Sequence, residues 1–216
     1  ADFFLDICPV FEASAVHSFA QINFMKRIAI INGHPYAASF NAGLAKAYKE
    51  GALQSGADIQ EINIVDLDFN PNLENGYSKR TELEPDLLKA WEIIQWAEHL
   101  VWIHPVWWGG LPAITKGFID RLFLPGMAYK YRENSILWDK LLKGKTARII
   151  TTLDQPGWYY RLMYGRPSVN QLRKSILQFC GISPVKVTYI GIIRNSPEAS
   201  RKKWLQQVKR MGLDLK

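Results

Sequence analysis

From Met25 onward, two hydrophobic rhythms alternate along the chain. Short apolar runs at Arg27–Asn32, His99–Ile103, Thr146–Thr152 and Val185–Ile190 read as buried strands, and Ile59–Val65 alternates as a further strand. Between them apolar residues recur at helical spacing. This holds over Phe40–Ser55, with Ser39 or Asn41 near its start, and over Pro85–Glu98 through Leu88, Trp91, Ile93 and Ile94. It holds again after Pro112, over Val169–Phe179 through Leu172, Ile176 and Phe179, and over Pro197–Met211, where Ser196 is expected to cap. Five strands alternating with helices predict an α/β fold: a five-stranded parallel sheet, doubly wound, with helices on both faces. No repeat, low-complexity tract or linker interrupts residues 25–216, which are expected to form one domain.

Ligands of such sheets bind beyond the carboxyl ends of the strands, so three loops carry the candidate chemistry. The first runs from Asn32 and Gly33 through His34 to Ser39, Phe40 and Asn41. It is neither a GxGxxG nor a P-loop sequence. Its Ser39, Asn41 and helix-start amides suit a phosphate, and equally suit a plain helix cap. The second, His104-Pro105-Val106-Trp107-Trp108-Gly109-Gly110-Leu111-Pro112, places two indoles among rigid prolines and permissive glycines. That composition suits a planar aromatic ring such as a flavin. The third follows Thr151 and Thr152 through Leu153 and Asp154 to Trp158, Tyr159 and Tyr160. Within these loops His34 and His104 have structural as well as functional readings. Trp91, Trp96 and Trp102 read as core, and Trp204 as part of a packed helix face.

Composition narrows the class. The chain is 48% hydrophobic and 22% charged, ordinary for a globular protein, and its formal net charge is +7. No zinc spacing, basic arm or helix-turn-helix pattern accompanies that charge, so nucleic acid is not an expected partner. Attraction of anionic cofactors is a better use for it. Cys8 and Cys180 lack metal-like spacing and cannot make a disulfide framework, which favours a cytoplasmic setting with no metal. No run of about 18 apolar residues predicts a membrane span. Residues 1–24 hold three acids, five phenylalanines and no Lys or Arg, unlike a secretory leader. They are expected to be an extension upstream of the start-like Met25-Lys26-Arg27, or else an arm packed on a neighbour.

Read in order, several motifs resemble the NAD(P)H:quinone oxidoreductase (DT-diaphorase-like) flavoproteins. They are Gly33-His34 with Ser39-Phe40-Asn41, then Pro105-x-x-Trp108-x-Gly110-x-Pro112-Ala113-x-x-Lys116-Gly117-Phe118, then Phe123-x-x-x-x-Ala128-Tyr129-x-Tyr131. Thr151-Thr152, Phe179-Cys180-Gly181, Thr188-Tyr189 and Pro197 to Arg201 continue the series, which spans Met25 to about Arg210. The resemblance implies a flavodoxin-like sheet, a homodimer, and FAD or, in some branches, FMN. It implies that His34, Ser39, Phe40 and Asn41 follow the flavin's phosphates and ribityl chain. Pro105, Val106, Trp107, Trp108 and Gly109 would line its ring, and Thr151, Thr152, Leu153 and Asp154 would form a second edge. Arg201 would lie near an adenylate, which favours FAD. Tyr129 and Tyr131 would close the site from the other subunit, and Trp108, Tyr131 and Trp158 would form an aromatic wall for flat acceptors.

Two departures stand out. Leu153-Asp154 replaces a pair of glycines common in the family, and the histidine that usually accompanies Tyr159 is missing, with Tyr164-Gly165-Arg166 in its place. Tyr159 remains the expected catalytic donor, stabilising the reduced flavin, with Tyr164 or Arg166 as compensating donors. The expected activity is two-electron transfer from NAD(P)H through the flavin to quinones or similar acceptors by a ping-pong scheme. The alternative is a regulatory flavoprotein subunit of a membrane potassium efflux system.

Overall fold

The computed structural model describes residues 25–215. The expectations for residues 1–24, and for Cys8 among them, lie outside those residues. In chain order the elements are β1 (Arg27–Asn32), α1 (Phe40–Gln54), β2 (Asp58–Asn63), α2 (Pro85–Trp96), β3 (His99–Pro105) and α3 (Ala113–Leu122). A hairpin of β4 (Tyr129–Tyr131) and β5 (Trp138–Lys140) follows, then β6 (Thr146–Leu153) and α4 (Gly157–Leu162). Next come α5 (Pro167–Asn170), which runs on as a wider π-helix over Gln171–Gln178, then β7 (Val185–Gly191) and α6 (Glu198–Leu213).

The five long strands form one parallel sheet in the order β2-β1-β3-β6-β7. The order reverses between β1 and β3, so their carboxyl-end loops diverge and leave a crevice. Central β3 is buried at every position, as its unbroken apolar run requires. Two cores result. On one face Trp102, fully buried, packs against Phe118 and Phe123 beneath α2 and α3. On the other, Ile28, Ile30, Val101 and Ile103 meet Leu44, Tyr48 and Val208 from α1 and α6. Those two helices cross so closely that a Cβ on Gly51 would collide with the Lys209 carbonyl, and one on Gly212 with that of Tyr48. This contact fixes α6, and Arg201 on it, behind the start of α1.

Trp91 and Trp102 are core and Trp96 packs partly buried against it, as expected, while Trp204 lies edge-on to Phe40. Three features differ from the sequence reading. Ser196 does not cap α6: Pro197 holds that place without a side-chain bond, and Ser196 Oγ donates to the Ile193 carbonyl instead. The second strand stops at Asn63, where Ile64–Asp66 tightens into a 3₁₀ turn. The β4–β5 hairpin and α4 are additional, because strands of three residues and a helix of six are too short to show a period.

Candidate active site

The carboxyl ends of β1, β3 and β6 meet at an open cleft of about 240 Å³. Ten of the residues singled out from sequence line it: His34, Ser39, Phe40, Asn41, Pro105, Val106, Trp107, Thr152, Leu153 and Asp154. Tyr36 and Ile193 line it too. Neither was singled out: Tyr36 is a bare position in a loop, and Ile193 belongs to the loop after β7, an edge strand.

The first wall is the start of α1. Ser39 caps it, its Oγ accepting the Ala42 amide at 3.2 Å, so the capping reading of this loop holds while the same residue faces the cleft. No acidic side chain occupies the first turn, which leaves the positive helix end without a competing carboxylate. His34 is oriented by its neighbours: its amide donates to Asn32 Oδ1 at 3.2 Å, and its Nδ1 accepts the Tyr36 amide at 3.0 Å. With Nδ1 an acceptor, the proton of the neutral ring sits on Nε2. Burial lowers its pKa and favours that neutral form, so His34 presents an Nε2–H donor. Its ring meets Trp107 edge-on at 5.5 Å between centroids.

The second wall is a tight turn. Trp107 and Gly110 exchange both backbone bonds, at 3.2 and 2.8 Å, with Trp108 at φ +50° and Gly109 at φ +77° between them. Positive φ at both central residues is the type I′ pattern, which the second glycine position accommodates and Trp108 does not. The geometry separates the two indoles. Trp107 faces the cleft, whereas Trp108 is thrown fully into solvent at its rim, and Gly109 does not line the cleft. Tyr160 braces the turn from below: buried, it donates from its hydroxyl to the Gly109 carbonyl at 3.2 Å and pairs with Ser168 Oγ at 2.7 Å. Nothing in the local pattern marks Tyr160 for this role, since Trp158, Tyr159 and Tyr160 are consecutive aromatics.

The floor is polar and incompletely satisfied. Thr152 Oγ1 donates to Asn41 Oδ1 at 3.0 Å, which orients the Asn41 amide and leaves its buried Nδ2 without a protein partner. Thr151 is wholly buried with Oγ1 unpartnered, and does not line the cleft. His104, paired across the strands with Thr151, is also wholly buried; its Nδ1 lies 3.1 Å from the Pro105 carbonyl and its Nε2 has no partner. Burial pulls its pKa down to about 4, so it is neutral beneath the site. At the far end, Asp154 accepts the Arg194 amide at 2.9 Å and pairs with its guanidinium at 3.6 Å. The residue that replaces a glycine thus ties the loop after β6 to the loop after β7.

Five more expected residues stand outside the cleft lining, one of them Trp158, which is exposed on α4. Arg201 is held behind the wall, its Nε donating to Ser196 Oγ at 2.9 Å and its guanidinium 5.8 Å over the Phe40 ring. Tyr159 is half-buried between Trp158 and Tyr164, outside the cleft lining. Tyr129 and Tyr131 pair with each other on the hairpin, and neither lines the cleft of its own chain.

Can the residues present hold a flavin? An amide donor oriented into the floor with no partner, a helix N-terminus without a competing acid, a neutral imidazole donor and a flat indole wall match the phosphate, polyol and ring of such a group. They fit.

Comparison with known proteins agrees with this architecture. A Haemophilus influenzae protein named an uncharacterized NAD(P)H oxidoreductase is 26% identical over 182 residues, covering 82% of this chain and 89% of its own. A Bacillus anthracis protein named FMN-dependent NADH:quinone oxidoreductase 3 is 25% identical over 202 residues, covering 82% and 92%. A solved Streptococcus mutans structure superposes with a TM-score of 0.74 at 31% identity, over 87% of this chain and 98% of that one. The family model for the flavodoxin-like fold matches residues 26–211, and the chain belongs to that family.

Proposed function

We propose that this protein is a flavin-dependent NAD(P)H oxidoreductase that passes two electrons to quinones or similar flat acceptors. The observation that carries the reading is the buried, unpartnered Asn41 Nδ2 at the floor of a cleft lined by three loops at the switch point of the sheet. A bound flavin supplies the hydride chemistry there; the chain's own residues hold and orient it. His34, Ser39, Phe40 and Asn41 hold the phosphate and polyol. Pro105, Val106 and Trp107 with Thr152, Leu153 and Asp154 flank the ring, and Trp108 and Trp158 stand at the mouth for the acceptor. Donor and acceptor use that mouth in turn, which is a ping-pong scheme.

The flavin is the mononucleotide unit common to FMN and FAD. Arg201, the residue that favoured FAD, is engaged with Ser196, Ile193 and Phe40, so it no longer argues for an adenylate, and the FMN-dependent relative favours FMN. Tyr131, 59% exposed and away from its own cleft, supports a homodimer in which it reaches the neighbouring site. The test is chromatography of the released cofactor, with NAD(P)H oxidation by a short-chain benzoquinone. Asn41→Asp keeps the acceptor for Thr152 and removes the donor. One lost hydrogen bond to a charged or strongly polar group predicts at least about tenfold weaker flavin retention. A colourless protein that stays empty with both flavins, or unchanged retention in the variant, overturns the reading.

A further inference from the structure

Among the described residues that line the cleft, Asp154 alone carries a formal charge at neutral pH, His34 being held neutral by burial. That charge is negative, in a chain whose net charge is +7. It stands where a glycine is common in the family, so it belongs to this chain rather than to the fold.

The carboxylate is fixed in place. Its Oδ1 accepts the Arg194 amide at 2.9 Å. One residue back, the Leu153 carbonyl accepts the Ile193 amide at 3.0 Å, and a Cβ on Gly191 would lie 2.6 Å from that same carbonyl. The loop after β7 therefore lies directly against Leu153 and Asp154. The other oxygen, Oδ2, stands 3.6 Å from the Arg194 Nε, within ion-pair range but beyond a hydrogen bond. That guanidinium is 76% exposed, so solvent weakens the pairing. Arg201, the next cation along, is turned to Ser196 and the Phe40 ring. The negative charge at the cleft is thus only partly offset. A neutral Asn would offer the Arg194 amide the same acceptor, so the clasp between the two loops does not by itself require an acid.

We infer that the Asp154 carboxylate holds down the midpoint potential of the flavin site, and that Arg194 moderates its effect. The inference rests on the flavin reading above and adds the residue that decides how strong a reductant the loaded protein is. A hydride from NAD(P)H, two electrons and one proton, brings a net gain of one negative charge beside Asp154 and leaves NAD(P)+. Passage of that hydride to a quinone, which takes one further proton from water, removes the charge again. A fixed carboxylate repels the added charge and leaves the uncharged oxidised ring little affected. The cleft therefore holds reduced flavin less tightly than oxidised flavin, which drives the electrons on to the acceptor.

The experiment measures the midpoint potential of the flavin-loaded full chain by equilibration with a reference dye, at low and high salt, for the wild type, Asp154→Asn and Arg194→Gln. Asp154→Asn keeps the acceptor for the Arg194 amide and removes the charge. It should retain reduced flavin, relative to oxidised, about tenfold better, which for a two-electron couple is a rise of about 30 mV. Arg194→Gln leaves that amide in place and removes the counter-charge, so its potential should fall. Both shifts should shrink at high salt. A potential that Asp154→Asn leaves unchanged or lowers, or that Arg194→Gln raises, overturns the inference. So does loss of both flavin forms alike from Asp154→Asn, which would make the residue a loop clasp alone. In each of these cases a wild type that binds flavin and is reduced by NAD(P)H keeps the flavin reading, whereas a wild type that binds neither FMN nor FAD removes both.

Discussion

Trp108 sits where its side chain gains nothing and its backbone is costly. At φ +50° it occupies the left-handed region, which costs an ordinary L-residue roughly 1–2 kcal/mol. Its indole is fully exposed, so replacement forfeits almost no buried area. Trp108→Asn therefore removes the strain without loss of packing, because Asn tolerates this conformation and Asn-Gly is a favoured type I′ pair. The bonds between Trp107 and Gly110, at 3.2 and 2.8 Å, should persist. The expected gain is about 1 kcal/mol, read as a Tm rise of roughly 2–4 °C for a domain of this size. Far-UV circular dichroism in thermal and urea melts measures it. Quinone turnover should fall in the same variant, because the substitution removes the indole proposed to contact the acceptor at the mouth. A strained residue that stabilises when removed yet costs activity is what a binding position predicts. Destabilisation by 1 kcal/mol or more would show instead that the indole is buried against something, such as a second subunit. Greater stability with unchanged turnover would leave the strain without a role in acceptor binding.

Two further outcomes concern buried charge. Arg121, 1% exposed, donates to both Glu84 oxygens and to the Asn70 and Glu82 carbonyls, so Arg121→Ala should cost about 3–5 kcal/mol in urea unfolding by orphaning them. Burial alone would raise the Glu84 pKa, but the bonds from Arg121 and the Asn70 amide outweigh it and lower the value. The folded state then binds fewer protons, and this contribution, present above the unfolded value near 4.3, is lost as pH falls below it. Glu84→Gln should flatten that acid limb, and an unchanged pH dependence would refute it. His99 is the second case: burial, then the charges of Lys26, Arg148 and Lys186, pull its pKa down from 6.5 to about 3. The unfolded chain binds that proton first, so stability should decline as pH drops from about 6.5 toward 3, and His99→Gln should lessen the slope.

How much of this was legible in the sequence depends on the range of the interaction involved. The long strands and amphipathic helices were, since a buried apolar run and a helical stripe are local properties of the chain. Three loops could be assigned to one edge of the sheet because parallel connections leave their carboxyl ends together, and ten residues of those loops do line one cleft. Arg121 shows where such reasoning stops. It lies in a helix where an arginine is ordinarily solvated, yet its partners are 37 to 51 positions away along the chain and bury it. Arg201 fails for the same reason: Phe40 lies on another helix, and the close α1–α6 crossing at Gly51 and Gly212 decides where its charge rests.

The tryptophan pair makes the sharper case. By composition Trp107 and Trp108 are interchangeable, and both suit a wall for a flat ring. Which indole faces the cleft is set by the sign of φ at residue 108, and that sign by the reciprocal bonds between Trp107 and Gly110. The turn in turn rests on the Tyr160 hydroxyl and the Ser168 amide, both bound to the Gly109 carbonyl from a segment some fifty residues later. A motif can therefore name the residues of this site, but their division of labour, one indole as wall and one at the mouth, is written by packing from α4 and α5.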